Sequence, residues 1–178
     1  MALKATIFKA RLQISDMDRD YYAEHLLTLA RHPSETDERM MIRLLAFAHN
    51  ACEELEFTRG LSSDDEADLW RHSLSGEIEQ WIEVGVPAED RIRKACNRSD
   101  SVLVYAYGQR TAPVWWQKAE RAAARFDNLG VYFLPTEACS QLAQLADRNM
   151  EFSVTIQDGH IWLASDQHNI EVVPERWK

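Results

Sequence analysis

A chain of 178 residues falls within the ~100–200 residues usual for one domain, which excludes two independent cores. Hydrophobic residues at 46%, charged residues at 28%, 6 Gly and 5 Pro describe a globular protein and exclude disordered, collagen-like and low-complexity chains. Asp and Glu outnumber Lys and Arg 29 to 20, and the resulting charge of −9 opposes non-specific adhesion to nucleic acid or anionic membrane, so any nucleic-acid contact has to be local.

Lys4 interrupts the short apolar start, and no later run reaches the ~20 apolar residues of a membrane helix, which predicts a soluble, cytoplasmic protein without membrane partners. Cys52, Cys96 and Cys139 are odd in number and far apart, so they form neither a disulfide framework nor a CxxC metal site and are read as buried apolar fillers.

In chain order, Phe8, Ala10, Leu12 and Ile14 alternate with Lys9, Arg11 and Gln13, the period of a half-buried strand. Asp16-Met17-Asp18 supplies turn chemistry, and Tyr22, Leu26, Leu29 and Ala30 recur at helical spacing, predicting a short helix up to Pro33. Ser34 is the predicted cap of a long amphipathic helix over residues 35–52 with Met41, Leu44, Leu45, Ala48 and Cys52 as its stripe. Leu55 to Arg59 reads as a brief strand broken at Gly60, and Ser62 to Asp68 as an acidic loop with Trp70 just beyond it. Glu77 to Val84 is dense in Ile, Trp and Val, as a strand covered on both faces requires.

Pro87 and Glu89-Asp90 open a helix through Arg98, and Val102 to Tyr107 is a further strand. Pro113 starts a helix with stripe Trp115, Ala119, Ala122 and Phe126, followed by a strand at 131–134 and a helix at 136–148. Phe152 to Gln157 and Ile161 to Ala164 flank Asp158-Gly159, a dipeptide suited to a type I′ hairpin turn, and Ile170 to Val173 can add a last strand. The pattern predicts one α/β domain over 1–178: a core at about 34–150 with a mixed central sheet flanked by helices, and an extra β layer built from about 1–15 and 151–173.

One constellation stands out. Glu83 lies between Ile82 and Val84 in the dense strand, and a buried carboxylate needs an arginine, a lysine, backbone N–H groups or a metal ion. Asp68 ends the acidic loop, and Glu38 sits one turn before Met41 and Ile42, so three hard oxygen ligands can converge where Mg²⁺ needs only one or two.

The blocks ALKATIFKA, LTLARHPSETDERMMIRLLA, LEFTRGL, DDEADLW, WIEVG and TIQDGHIWL, collinear over nearly the whole chain, resemble the YaeQ family of bacterial proteins. The resemblance implies a variant of the PD-(D/E)-X-K nuclease fold with a restriction-endonuclease-like core. It places Asp68 and Glu83 at the two acidic positions as Mg²⁺ ligands, with Glu38 in support on the first core helix. Ala67 stands where the motif has proline, and Gly85 where it has lysine. The missing cation has to come from elsewhere, and Lys94 on the following helix is the candidate, with Arg91 one turn earlier and Arg98 one turn later on the same face.

Such a site would hydrolyse a phosphodiester, with Asp68, Glu83 and Lys94 catalytic and Glu38 and Arg91 supporting. The contrasting expectation is a binding or regulatory module that kept the fold without the activity. Trp115 and Trp116 with Lys118, Arg121 and Arg125 could form a nucleic-acid surface, but Trp115 is read as core packing, and the three basic residues fall on another face, partly neutralised by Glu120. The six histidines, His32 in its loop included, show no compact metal spacing. Ser34, Ser62 and Ser63 lack a nucleophile elbow and are read as capping and turn residues, and no dinucleotide or P-loop glycine motif is present. Arg59 is read as a structural partner of Asp64, Asp65 and Glu66.

Overall fold

The computed structural model describes residues 4–58 and 65–178. The readings made for Arg59, Gly60, Ser62, Ser63 and Asp64 lie outside the described residues. In chain order the elements are β1 (Thr6–Asp16), β2 (Tyr21–Arg31), α1 (Asp37–His49), β3 (Leu55–Phe57), β4 (Leu69–His72) and β5 (Ile78–Val84). They continue with α2 (Glu89–Arg98), β6 (Ser99–Ala106), α3 (Thr111–Ala123), β7 (Leu129–Phe133) and α4 (Thr136–Gln144). The chain closes with β8 (Asn149–Gln157), β9 (His160–Ala164), β10 (Asn169–Val172) and β11 (Glu175–Arg176). No described helix is long and apolar enough to cross a membrane.

The strands form two sheets, ordered β10-β9-β8-β1-β2 and β11-β7-β6-β5-β4-β3. In the first, β1 runs parallel to β8, so the amino-terminal strand and the carboxy-terminal hairpin do share a layer. Phe8, Ala10, Leu12 and Ile14 face inward as the alternation requires. The hairpin turn is as read: Asp158 and Gly159 both take positive φ, 52° and 78°. Asp18 locks it, accepting from the Asp158 and Gly159 N–H groups at 2.7 and 2.9 Å.

The helix predicted over 22–30 is strand β2, paired with β1 in an unbroken antiparallel register from Asp16↔Tyr21 to Thr6↔Arg31. The segment carries both periods: Tyr22, Leu26, Leu29 and Ala30 fit a helix, while Tyr21, Ala23, His25, Leu27 and Leu29 fit one face of a strand. A four-residue turn with Asp20 at φ 54° returns the chain onto β1, and pairing with that strand overrides helical propensity.

Helix α1 is shorter than its predicted 35–52. Thr36 rather than Ser34 caps it, its hydroxyl accepting from Arg39 N–H at 3.1 Å. Every residue from Met40 to Ala48 is buried, because the helix lies between the sheets instead of on a surface. Helix α4 ends at Gln144 rather than Arg148, and β8 begins three residues before the predicted Phe152.

The second sheet separates two cores. Ile82, Val84 and Tyr105 join α1, α4 and the first sheet in the larger one. Trp81, Val102, Val104 and Val131 pack with α2 residues Ile92, Ala95 and Cys96 in the smaller one. β5 is thus covered on both faces, as its composition predicts. Trp115 is half-buried and donates its indole N–H to Pro87 O at 2.7 Å, which supports a packing role. Ala112, Ala119 and Ala123, not Ala122, form the buried row of α3. Cys96 and Cys139 are buried, and Cys52 only partly so.

Candidate functional site

Asp68 directly precedes β4. Because Leu69 pairs with Ile82, it lies across from Glu83 on β5. The strands hold it there: Asp68 N–H donates to Ile82 O at 3.0 Å, and Val84 N–H donates to Asp68 Oδ2 at 2.7 Å. Both carboxylates are buried, 3% and 4% exposed, and removing each charge from water costs several kcal/mol unless it is matched.

Two arginines match them, from helices that cover opposite faces of the second sheet. Arg39 of α1 donates through Nη2 to Asp68 Oδ1 at 2.7 Å and to Val84 O at 3.2 Å, and through Nη1 to Glu35 Oε1 at 3.0 Å. Arg91 of α2 donates through Nε to Glu83 Oε1 at 2.8 Å and through Nη2 to Glu66 O at 2.7 Å. Trp81 adds its indole N–H to Glu83 Oε1 at 2.7 Å. Residues 81 and 83 share a strand face, so this contact is built into the sequence. The guanidinium carbons of Arg91 and Arg98 also lie 5.9 and 5.4 Å from the Trp81 ring centre.

Burial pushes the Glu83 carboxyl up from 4.5 to about 7. The Asp68 charge adds to the rise, while the Arg91 and Trp81 hydrogen bonds oppose it. Burial also works against the Arg39 charge, but Asp68 and Glu35 outweigh it and hold the guanidinium above its ordinary range.

Lys94 does not reach the pair. It bonds Asp65 on the surface, with 44% of its own side chain and 73% of that of Asp65 exposed. Lys94 sits one turn beyond Arg91, about 4.5 Å further along the α2 axis, and Arg91 is the helix residue that meets Glu83. Arg91, which the sequence reading placed in support, is therefore the α2 cation that meets Glu83. Gly85 has φ +116°, a conformation that L side chains rarely adopt, so the backbone itself disfavours lysine there. Glu38 bonds neither carboxylate: burial raises the Tyr107 phenol and the Cys139 thiol, and the Glu38 charge adds to both rises.

Sequence reasoning missed Arg39, Glu35 and Arg43. Glu35, Arg39 and Arg43 follow one another at four-residue spacing, the pattern of helix-face ion pairs, and that signal was readable. The structure uses it inward: Arg43 Nε and Nη2 each lie 2.8 Å from a different oxygen of Glu35 in the buried core.

A Mg²⁺ ion at Asp68 and Glu83 would have to compete for oxygens that protein donors already hold. The ligand chemistry is right, but both oxygens of Asp68 and Oε1 of Glu83 already accept protein hydrogen bonds. Glu66 Oε2 is buried without a hydrogen-bond partner, yet among the described residues no group of three His, Cys, Asp or Glu side chains is placed to hold a metal ion. The His32 ring bonds Ser34 in an exposed loop.

The model of the family described as YaeQ protein matches residues 1–174. The uncharacterized proteins YaeQ of Salmonella typhi and Escherichia coli K12 are 48% and 47% identical over 178 residues, spanning 100% of this chain and 98% of each relative. The crystal structure of the YaeQ protein from Xanthomonas axonopodis pv. citri superposes with a TM-score of 0.95 at 50% identity, covering 98% of both chains. That from Pseudomonas syringae gives a TM-score of 0.93 at 36% identity, covering 98% of this chain and 96% of its own. With its full length matched in both sequence and fold, the chain belongs to the YaeQ family.

Proposed function

We propose that this chain is a cytoplasmic, non-catalytic binding or regulatory module on a variant of the PD-(D/E)-X-K nuclease fold. The observation that carries the reading is that each acidic position bonds an arginine from a different helix, Asp68 with Arg39 and Glu83 with Arg91. Held by these two part-buried arginines, Asp68 and Glu83 tie the second sheet to the helices on either face, and a divalent cation would compete with the arginines for the carboxylate oxygens. A Gly at position 85 and a surface-bound Lys94 fit a site without a catalytic lysine.

A second reading, Mg²⁺-dependent phosphodiester hydrolysis at Asp68 and Glu83 with Arg91 as the cation, is favoured by one observation. Asp68 and Glu83 sit opposite each other at the strand edge, and burial, with the Asp68 charge adding to it, holds the Glu83 carboxyl up despite Arg91. Its substrate would be short or single-stranded nucleic acid, because a charge of −9 weakens duplex binding.

Thermal unfolding with millimolar Mg²⁺ or Mn²⁺ separates the two readings. The module gives no melting-temperature shift in the wild type or in Glu83→Gln. A rise present in the wild type and lost in Glu83→Gln overturns it. Cleavage of single- and double-stranded DNA and RNA, with Asp68→Asn as the contamination control, then decides activity.

A further inference from the structure

The longest open sheet edge in the described molecule belongs to β2. The other edge strands, β10, β3 and β11, have four, three and two residues, against eleven for β2. Residues 21–31 contain no proline or lysine, the β1–β2 register has no bulge, and the strand's two charged residues, Glu24 and Arg31, are each paired within the chain, to Arg11 and Asp37.

The direction of its free backbone groups follows from the ladder. Lys9 N–H donates to Arg148 O and Met17 N–H to Ile156 O, so odd residues of β1 face β8 and even ones face β2. The register pairs those even residues with odd residues of β2. Even residues of β2 consequently aim both N–H and C=O at the open edge. Ala30 agrees, since its carbonyl accepts from Arg43 Nη2 at 3.1 Å, a group outside the sheet. Tyr22, Glu24, Leu26 and Thr28 remain, four donors and four acceptors, and among the described residues none has a hydrogen-bond partner on that edge.

We propose that this edge pairs with the β2 edge of a second copy of the chain, antiparallel about a two-fold axis at His25. That register sets Tyr22 opposite Thr28 of the other copy and Glu24 opposite Leu26, using all four open residues on each side. No like charges meet. Glu24, the one acidic residue of the strand, is already neutralised by Arg11, whose Nε and Nη2 both lie 3.0 Å from its Oε1. Tyr22 and Leu26, 60% and 77% exposed, are covered at the join. The product is a continuous ten-stranded sheet across two protomers.

Sedimentation equilibrium of the full chain at tens of micromolar tests this. The expected mass is twice that of one chain. Leu26→Pro removes only an outward N–H and leaves the β1 ladder intact, so it should keep the wild-type circular dichroism while weakening dimerisation at least about tenfold. Leu26→Lys retains every backbone group and should weaken it as well, which covers the case in which the proline variant fails to fold. A wild type that stays monomeric at these concentrations overturns the proposal, as does a folded Leu26→Pro or Leu26→Lys that dimerises as tightly as wild type. A monomeric wild type that binds a peptide of the β2 sequence also overturns it, and identifies the edge as a site for a foreign strand.

Discussion

Glu35 and Glu83 are both buried carboxylates bonded to arginine, and they differ in how completely they are matched. Glu35 accepts two bonds from the Arg43 fork and a third from Arg39. Glu83 accepts one arginine nitrogen and one indole nitrogen, with a second carboxylate, Asp68, acting on it. A fork that covers both oxygens makes an anchor. Burial, with single-point contact beside a like charge, leaves Glu83 titrating near neutrality.

The largest effect should come from breaking the anchor. Arg43→Met leaves Glu35 charged in the core with only part of its bonding and should cost ~3–5 kcal/mol in denaturant unfolding. A loss near that of a surface substitution would show that Arg39 alone suffices and would erase the distinction between the two sites.

Glu83 should show itself through pH. In the unfolded chain it titrates near its ordinary 4.5, and in the folded chain near 7, so between those values the folded chain keeps a proton that the unfolded chain has released. The stability it contributes is complete below about 4.5 and is lost as pH rises through about 7. Glu83→Gln should flatten that decline by ~3 kcal/mol relative to wild type. Parallel wild-type and mutant stability profiles over this window would place Glu83 with Glu35 as a simple anchor.

Arg91→Met sharpens the same point with a smaller effect. Because the Arg91 bond opposes the rise, its loss should move the Glu83 midpoint to higher pH in the stability profile. An unmoved midpoint would mean that burial and Asp68 alone set it. Lys94→Ala should do least: its pair with Asp65 is exposed and screened by water, so denaturant unfolding should match that of the wild type with no shift in the Glu83 midpoint.

Much of the fold was legible because its signals are local. The Asp158-Gly159 turn, the alternation of β1 and the apolar density of β5 each need only a few neighbouring residues to be read. Strand β2 was misread because its residues satisfy two periods at once, and only pairing with β1 selects one. At the site, Asp68 and Glu83 were identifiable as acids leading into or lying within a buried strand. Of their partners, Arg91 is legible only as a support for Lys94, and Arg39, 29 residues from the Asp68 it bonds, is not legible at all.

By itself, then, the sequence determined the family, the order of most elements and the pairing of the carboxy-terminal hairpin, all of which follow from collinear blocks and short-range periodicity. Tertiary structure alone decided which cation meets which buried anion. A helix offers several arginines and lysines at nearly equivalent spacing, and only its docking angle on the sheet brings Arg91 to Glu83 and leaves Lys94 in water.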